Sequence, residues 1–366
     1  MKVIKKLWNR IFIDGLTGMA HGLFATLIIG TIIQQIGPLV GGQTGNLIFL
    51  VGKIAAALTG AGIGVGVAYR FKESPLVVLS AAVAGMIGAF ASQILAGSVL
   101  LGEEVVLEQM VLKSGTMLFS GPGEPLGAFL AAYIGIEVGH LVSGRTKVDI
   151  IVTPIVTIGA GSVVGIILGP PISNFMTMLG EMINWGTEQQ PLLMGVVVSV
   201  LMGMILTLPI SSAALGLILK LSGDAAGAAT IGCCCNMIGF AVASYRENKV
   251  GGLLAQGIGT SMLQVPNIMK KPIIWLPAIL SSAILGPIGI MVFGMTNNPT
   301  GSGMGTAGLV GQIMTWQDMI GTHTPEILLV KIIAIQIVLP AIVTLFFSEC
   351  MRKKGWIKYG DMKLDL

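Results

Sequence analysis

The stretch IIVTPIVTIGAGSVVGIILGP, residues 150–170, contains no charged residue and no histidine. A helix needs roughly 20 predominantly apolar residues to cross the hydrocarbon core of a bilayer, and this stretch is long enough to do so. Further stretches also lack Asp, Glu, Lys, Arg and His: residues 22–52, 74–102, 189–219, 225–245 and 272–317. The sequence therefore predicts an integral membrane protein with many crossings, whose first partner is the lipid bilayer.

The overall composition supports this interpretation. Hydrophobic residues make up 54% and charged residues 10% of the 366-residue chain, whereas soluble domains carry about 25% charged residues. Walker A, G-x-S-x-G and H-E-x-x-H motifs are absent, so the sequence predicts a transporter with no catalytic residues and no cofactor. Nucleic-acid binding is not expected, because the basic residues form only short runs near the chain ends.

The adjacent cysteines 233–235 do not predict a metal site. They lie in an apolar run, where neighbouring residues of a helix point in different directions. Buried thiols are the simpler interpretation, and no metal ligands are predicted elsewhere.

Basic residues at both ends predict the orientation. Lys2, Lys5, Lys6 and Arg10 precede the first apolar stretch, and Arg352, Lys353, Lys354, Lys358 and Lys363 follow the last one. Because cytoplasmic segments carry an excess of Lys and Arg, both termini are expected in the cytoplasm. Residues 349–366 are predicted to be a basic cytoplasmic tail.

A weak internal repeat predicts two related halves within one membrane domain, residues 1–366. VGVAYRFKE (65–73) resembles AVASYRENK (241–249), and the same shift aligns the hydropathy of residues 1–171 with that of residues 172–348. These ranges are the two predicted structural repeats. The alternative, that glycine-rich apolar sequence aligns with itself by chance, remains open.

The repeat gives an all-α topology of about ten transmembrane helices. First-half crossings are predicted at 11–37, 46–68, 75–97, 125–142 and 150–170, and residues 98–124 are predicted to form a re-entrant hairpin. Counterparts in the second half include 187–213, 222–244, 251–273 and 326–346, with a broken, partly re-entrant segment after a helix at 272–295. An odd number of crossings per half predicts inverted halves. It also places Arg246 and Lys249 outside, against the positive-inside rule.

Glu124 is the strongest candidate for solute binding. It lies at the centre of LFSGPGEPLGAF (118–129), between Pro122 and Pro125. An ionisable group at membrane depth is costly, so a function is the default hypothesis. A carboxylate accepts hydroxyl hydrogen bonds from a sugar, or a proton in a coupled carrier. The alternative is a hydrated residue in an external loop.

The second-half counterpart is MTNNPTGSGMGTAG (295–308), with the polar side chains of Asn297, Asn298 and Thr300. Irregular backbone at membrane depth is tolerated only where it is buried in protein or lines a water-filled cavity. We therefore expect this element and the Glu124 element to meet in one central site.

Three further residues are candidates for the same site. Glu137 and His140 are three positions apart and share a helix face. They are expected to bind substrate hydroxyls, to relay a proton or only to interact with each other, without a functional role. His21 lies near the middle of the first predicted crossing.

The GPGEP and TNNPTGSGMG elements, the apolar halves and the basic ends resemble the membrane (EIIC) component of bacterial phosphotransferase-system sugar transporters. Within that group the chain is most similar to the PfoR-type EIIC-like family, a family of permeases or regulators. The resemblance implies a homodimer in the bacterial inner membrane that binds a sugar-like polar solute and alternates access to it. It implies that Glu124, in a G-x-x-E-P-like motif, contacts the sugar. Since no EIIA or EIIB domain is recognisable, it also implies a separate EIIB protein as partner.

Three functions remain open on the sequence. The first is a permease, at most the permease component of a phosphotransferase system. The second is a proton- or ion-coupled secondary transporter, suggested by Glu124, Glu137 and His140. The third is a membrane sensor or regulator without net transport.

Overall fold

A computed structural model describes residues 2–97, 100–101, 104–107, 110–113, 116–117, 121–322 and 324–365. These residues form two compact units: residues 14–175, and residues 1–13 together with 176–366. Six helices within the described chain are long and apolar enough to cross a membrane, or seven if one bent pair counts as a span. They are Lys6–Val40, Pro125–Val142, Asp149–Thr187, Gly223–Ala243, Pro272–Met291 and Pro325–Lys353, with Gly42–Ala57 and Thr59–Arg70 as the bent pair.

The first part of the chain contains short and long helices in close succession. They are α1 (Lys2–Asn9), α2 (Leu16–Leu23), α3 (Ile29–Val40), α4 (Gly42–Ala57), α5 (Thr59–Arg70), α6 (Pro75–Ala89), α7 (Ala91–Leu95), α8 (Pro125–Val142) and α9 (Asp149–Thr187). π-Helical turns at Arg10–Gly15 and Phe24–Ile28 make α1 to α3 nearly continuous. Glycines let α2 and α5 touch backbone to backbone: a Cβ at Gly18 would lie 2.6 Å from the carbonyl oxygen of Gly66.

The predicted re-entrant hairpin at residues 98–124 is extended rather than helical where the structure describes it. Strand β1 (Leu100–Leu101) pairs antiparallel with β4 (Thr116–Met117), and β2 (Glu104–Leu107) pairs with β3 (Met110–Lys113). The described residues therefore pair as antiparallel strands, which the Val-rich sequence favours over helix. Re-entry of this segment into the membrane stays a prediction. Residues 98–99, 102–103, 108–109, 114–115 and 118–120 of this prediction lie outside the described residues.

The remaining helices belong to the unit formed by residues 1–13 and 176–366. They are α10 (Pro191–Thr207), α11 (Ser212–Ile218), α12 (Gly223–Ala243), α13 (Tyr245–Leu254), α14 (Val265–Lys270), α15 (Leu276–Met291), α16 (Pro299–Ser302), α17 (Val310–Met319), α18 (Pro325–Ile333) and α19 (Leu339–Lys353). Helix α12 is the most deeply buried of the six candidate spans. It packs against α10, α15 and α19, and small residues such as Gly232 bring its backbone against that of Ser199.

The crossing predicted at residues 251–273 is wrong. Helix α13 is followed by a π-turn (Ala255–Gly259), a 3-10 turn (Ser261–Gln264) and the short α14, and none of these pieces is long enough to span. Polar side chains in this segment are buried because other protein groups satisfy them. Gln264 Nε2 donates to Met362 O at 3.0 Å, and Asn267 Nδ2 donates to Lys363 O at 2.9 Å.

These acceptors belong to the C-terminal strap, which we define as residues 356–365. Ile357 and Met362 of the strap are buried in a cluster that includes Phe240, Trp275 and Met351. Residues 349–366, predicted as a tail, therefore begin inside α19 and continue as a packed segment up to residue 365. Hydropathy did not reveal this packing because charged residues alternate with the apolar residues of the strap.

The ion pairs near the strap correct the predicted side of Arg246 and Lys249. Arg246 Nη2 lies 2.9 Å from Glu349 Oε2, and Arg352 Nη2 lies 2.8 Å from the buried Glu247 Oε1. Residues 246–249 are thus at the same end of their unit as the strap and cannot lie opposite it. These basic residues therefore share one end of that unit with Lys358 and Lys363 of the strap.

Candidate functional site

The loop before α8 is built so that its backbone reaches the end of α6. Gly121 and Gly123 have φ values of +77° and +73°, which favour glycine, and Pro125 occupies the first turn of α8. The Glu124 N–H donates to the Ala89 carbonyl at 2.8 Å. A Cβ at Gly123 would lie 2.7 Å from Ala89 Cβ, so the close approach requires glycine.

This docking places Glu124 at the N-terminal cap position of α8. Its side chain is half-buried, and its Oε1 atom is shielded from solvent. The partial positive charge at a helix N-terminus favours a carboxylate, which lowers the cost of keeping it ionised. Such a group is suited to accept hydrogen bonds from hydroxyls.

Glu137 and His140 lie on the same helix as Glu124 but far along it. At a rise of about 1.5 Å per residue, they are roughly 20 and 24 Å from Glu124 along α8. A single monosaccharide is too small to contact both ends. The structure therefore divides the predicted candidates into two separate places in this unit.

His140 pairs with Glu73, which the sequence analysis did not single out. His140 Nδ1 lies 2.8 Å from Glu73 Oε2; the histidine side chain is 59% exposed and the glutamate side chain only 5%. Next to this pair, Ser74 Oγ and Ser143 Oγ are 2.7 Å apart. The i, i+3 spacing to Glu137 was thus an incomplete guide, because the observed acid is 67 positions away in sequence.

His21 lies on α2 with an exposed side chain. One turn before α2, Asp14 Oδ1 lies 3.4 Å from Arg70 Nε. His21 is therefore accessible from outside its unit, in contrast to the neighbouring residues of α2, which are mostly buried.

Asn297 is completely buried and its side chain is fully engaged within the protein. Its Nδ2 donates to Thr230 Oγ1 at 2.8 Å, to Thr315 Oγ1 at 3.0 Å and to Gly311 O at 3.1 Å. Its Oδ1 accepts from the N–H of Asn298 at 2.8 Å. Asn297 thus positions the broken segment after α15.

Asn298 and Thr300 are more accessible. Asn298 caps α16, because its Oδ1 accepts from the N–H groups of Thr300 and Gly301, both at 3.1 Å. The Thr300 side chain is exposed. Of the predicted residues in this segment, Thr300 is the one most open to a ligand.

A second irregular segment of this unit meets the first one on α12. The turns at 255–259 and 307–309 contact each other, and Thr306 Oγ1 lies 3.5 Å from Met237 Sδ. Gly305 has φ +51°, and a Cβ there would lie 2.7 Å from Cys233 Cβ. Two interrupted backbones thus converge beside the buried cysteines.

A fully buried polar network around Asn236 extends this convergence. Asn236 Oδ1 accepts from Trp275 Nε1 at 2.8 Å and from Thr207 Oγ1 at 3.2 Å. Thr207 Oγ1 lies 2.8 Å from Ser261 Oγ, and Asn236 Nδ2 donates to Ser282 Oγ at 3.3 Å. Polar residues in several otherwise apolar runs were the only sequence signal for it.

In the part of the chain that the structure describes, no three His, Cys, Asp or Glu side chains are grouped to hold a metal ion. Glu124 and Asn297 belong to different units. That the two residues contribute to one binding site therefore stays a prediction.

Comparison with known proteins identifies the family. The model of the family described as "Phosphotransferase system, EIIC" matches residues 13–364. A search of curated proteins gives no match. A similar solved structure is the "Crystal structure of the transporter ChbC, the IIC component from the N,N'-diacetylchitobiose-specific phosphotransferase system", with 13% identity, coverage of 96% of this chain and 98% of that chain, and a TM-score of 0.46. Since the family model matches nearly the whole chain, this multi-pass membrane protein belongs to the EIIC family of the phosphotransferase system.

Proposed function

We propose that this protein is a phosphotransferase-system permease that binds a sugar or a related polar solute and moves it across the membrane by alternating access. Family membership over residues 13–364 carries this proposal. A separate EIIB protein would supply the phosphoryl group on the cytoplasmic side. The working form is proposed to be a homodimer in the bacterial inner membrane.

Glu124 is the proposed solute ligand. Its half-buried carboxylate lies at a helix N-terminus, where the partial positive charge of the helix favours the ionised form that accepts hydrogen bonds from hydroxyls. Asn298 and Thr300 are proposed to contribute from the other structural repeat. Asn297 holds this segment in position, because its Oδ1 accepts a hydrogen bond from the Asn298 N–H.

The other end of α8 is proposed to face the cytoplasm. Arg70, Lys72, Arg145 and Lys147 lie in the loops around the Glu73–His140 pair, and basic loops are cytoplasmic. Glu137 and His140 would then act at the cytoplasmic exit and Glu124 nearer the external side. His21, exposed on α2, is proposed as an additional contact on the path.

Uptake by the purified protein in proteoliposomes tests the permease proposal. A panel of labelled saccharides and polyols is offered with and without a phosphorylated EIIB protein. We expect one class of solute to accumulate, as its phosphate ester only when EIIB is present. Absence of uptake and of exchange for every solute, with folded protein, would contradict the proposal.

A proton-coupled carrier is the second candidate, and the Glu73–His140 pair favours it. A largely buried carboxylate beside an exposed imidazole is an arrangement that is able to bind and release a proton. Uptake driven by a pH gradient without EIIB, and lost in Glu73→Gln, would support this candidate over phosphoryl coupling. Solute binding without transport in either assay would support a sensor or regulator.

A further inference from the structure

A cavity of about 390 Å³ opens between the strap and the segment just before α15. Its lining is polar and mostly charged: Asn267, Lys270, Lys271, Gly360, Asp361, Lys363, Leu364 and Asp365. All of these residues belong to one structural unit. Neither the proposed solute site nor the Glu73–His140 pair includes any of them.

The walls of this cavity are fixed by hydrogen bonds and packing. Asn267 Nδ2 donates to Lys363 O at 2.9 Å, and Lys271 Nζ lies 2.6 Å from Asp361 Oδ2. Met362, between the two lining residues Asp361 and Lys363, is completely buried. The cavity is therefore a preformed site rather than a gap beside a loose tail.

The charge of the cavity favours an anion. The Lys271–Asp361 ion pair cancels one lysine against one acid, and the charge of Asp365 offsets a second lysine, so the lining with three lysines and two aspartates keeps a net charge of +1. Lys270 and Lys363 are exposed, and neither forms an ion pair with any residue that the structure describes. Lys353, Lys354 and Lys358 add exposed positive charge at the same end of the unit.

The position of the cavity along the chain places it at the membrane surface. Lys270 and Lys271 directly precede the span Pro272–Met291, and the strap directly follows the span Pro325–Lys353. Exposed Trp356 and Tyr359 lie in the strap, and such aromatic side chains are enriched at the level of lipid head groups. Lys354 Nζ lies 5.1 Å from the centre of the Trp356 ring.

We propose that this cavity binds the phosphodiester head group of an anionic phospholipid. Lys270 and Lys363 contact the phosphate oxygens, and Trp356 and Tyr359 lie among the neighbouring head groups. Basic clusters immediately beyond a transmembrane helix attract anionic lipids, at about 1 kcal/mol for each Lys or Arg near the surface. The bound lipid would hold the strap against the segment that contains Gln264 and Asn267.

A lipid is favoured over a soluble anion by the ends of two spans that border the cavity. A free phosphate ion is distributed throughout the aqueous phase, whereas the phosphate of a phospholipid is confined to the membrane surface, where these spans end. An acidic protein docked on the same lysines is a distinct outcome, and the experiment below separates it.

Native mass spectrometry of the full-length protein, released from nanodiscs, tests the proposal. Discs containing phosphatidylglycerol are compared with discs containing only phosphatidylcholine, and the double variant Lys270→Gln/Lys363→Gln is compared with Lys147→Gln. Lys147 is the control, because it is exposed and also lies just before a span, Asp149–Thr187, but is not part of the lining of this cavity.

We expect phosphatidylglycerol to remain bound to the unmodified protein and to Lys147→Gln. The double variant should bind it roughly thirtyfold more weakly, since two lysine contributions are lost. Equal retention by the double variant, or equal loss in Lys147→Gln, would overturn the proposal. Displacement by inorganic phosphate alone would assign the cavity to a soluble anion. Retention of a purified acidic EIIB protein but not of phosphatidylglycerol would assign it to protein docking.

Discussion

The loop before α8 and the break after α15 contain the same ingredients: glycine, proline and a polar side chain within apolar sequence. In the loop, Glu124 lies half-buried at a helix N-terminus with an oxygen that water does not reach. In the break, Asn297 is completely buried and bonded to four protein groups. The exposed fraction therefore separates the two residues: the half-buried Glu124 is proposed as a ligand, and the fully buried Asn297 as a scaffold.

Glu124→Gln is expected to give the largest functional effect. Replacing a charged acceptor by a neutral amide removes hydrogen bonds worth about 1.5–3 kcal/mol each, so solute uptake should fall by roughly 10- to 100-fold. Proteoliposome exchange measures this loss. Glu326→Gln is the control, because Glu326 is an exposed carboxylate that, like Glu124, lies next to the proline at the start of a helix. Equal losses in both variants would remove the distinction between ligand and scaffold.

Asn297→Ala is expected to give the largest loss of stability. It removes the hydrogen bonds of Asn297 to Thr230, Thr315 and Gly311, and each lost intramolecular hydrogen bond costs about 0.5–1.5 kcal/mol. We expect the variant to unfold at a clearly lower temperature in detergent. The exposed Cys350 is first replaced by serine in all proteins, so that a thiol-reactive dye reports exposure of the buried cysteines 233–235. Asn174→Ala, at an exposed position of α9, should change little. An Asn297→Ala protein as stable as the control would make Asn297 available as a ligand.

Asn298→Ala should have an intermediate effect on stability. Loss of an N-terminal cap costs about 1 kcal/mol, because the N–H groups of Thr300 and Gly301 lose their acceptor. Asn298→Ser keeps a cap and should restore most of the stability in the same thermal assay. If the serine variant is stable but binds solute more weakly, Asn298 is both a cap and a ligand.

Acidification should have the smallest effect, through the strap that supports residues 255–264. Burial alone would raise the pKa of Asp361, but hydrogen bonds from Lys271 and the Lys358 N–H, with the charge of Lys271, lower it below its ordinary value of 3.8. The ionised carboxylate therefore stabilises the fold above that value, and this contribution is lost as the pH falls through the lowered pKa.

Half-exposed ion pairs contribute at most about 1 kcal/mol, so the expected change is modest. Thermal unfolding measured at falling pH should show a loss of stability that is absent in Asp361→Asn. Identical pH profiles for the two proteins would show that the ion pair with Lys271 does not hold the strap.

Sequence reasoning worked where hydropathy and helix ends agree. Helix α8 was predicted at 125–142 and is observed at Pro125–Val142; α12 was predicted at 222–244 and is observed at Gly223–Ala243. A proline or a charged residue bounds these apolar runs. The residues of the segment itself therefore determine the length and the ends of each helix.

The predictions that were wrong or incomplete concern segments whose structure depends on contacts with residues far away in the sequence. Residues 251–273 are apolar enough to suggest a crossing, but buried Gln264 and Asn267 find their acceptors in the strap, 98 and 96 positions away. The Glu73–His140 pair and the bonds of Asn297 are likewise formed between separate elements. Periodicity and composition describe the residue's own segment, whereas these contacts depend on which segments become neighbours.

The glycine contacts between α2 and α5 have a consequence for tolerance to substitution. Gly18 and Gly22 of α2 face Gly66 and Gly62 of α5. A single methyl group added to one of these glycines would clash with backbone atoms of the other helix, which cannot move away as a side chain can. Along this seam the residues most sensitive to replacement are those without a side chain. The bulky residues exposed elsewhere on the helices, such as Leu47 and Leu79, have room to vary.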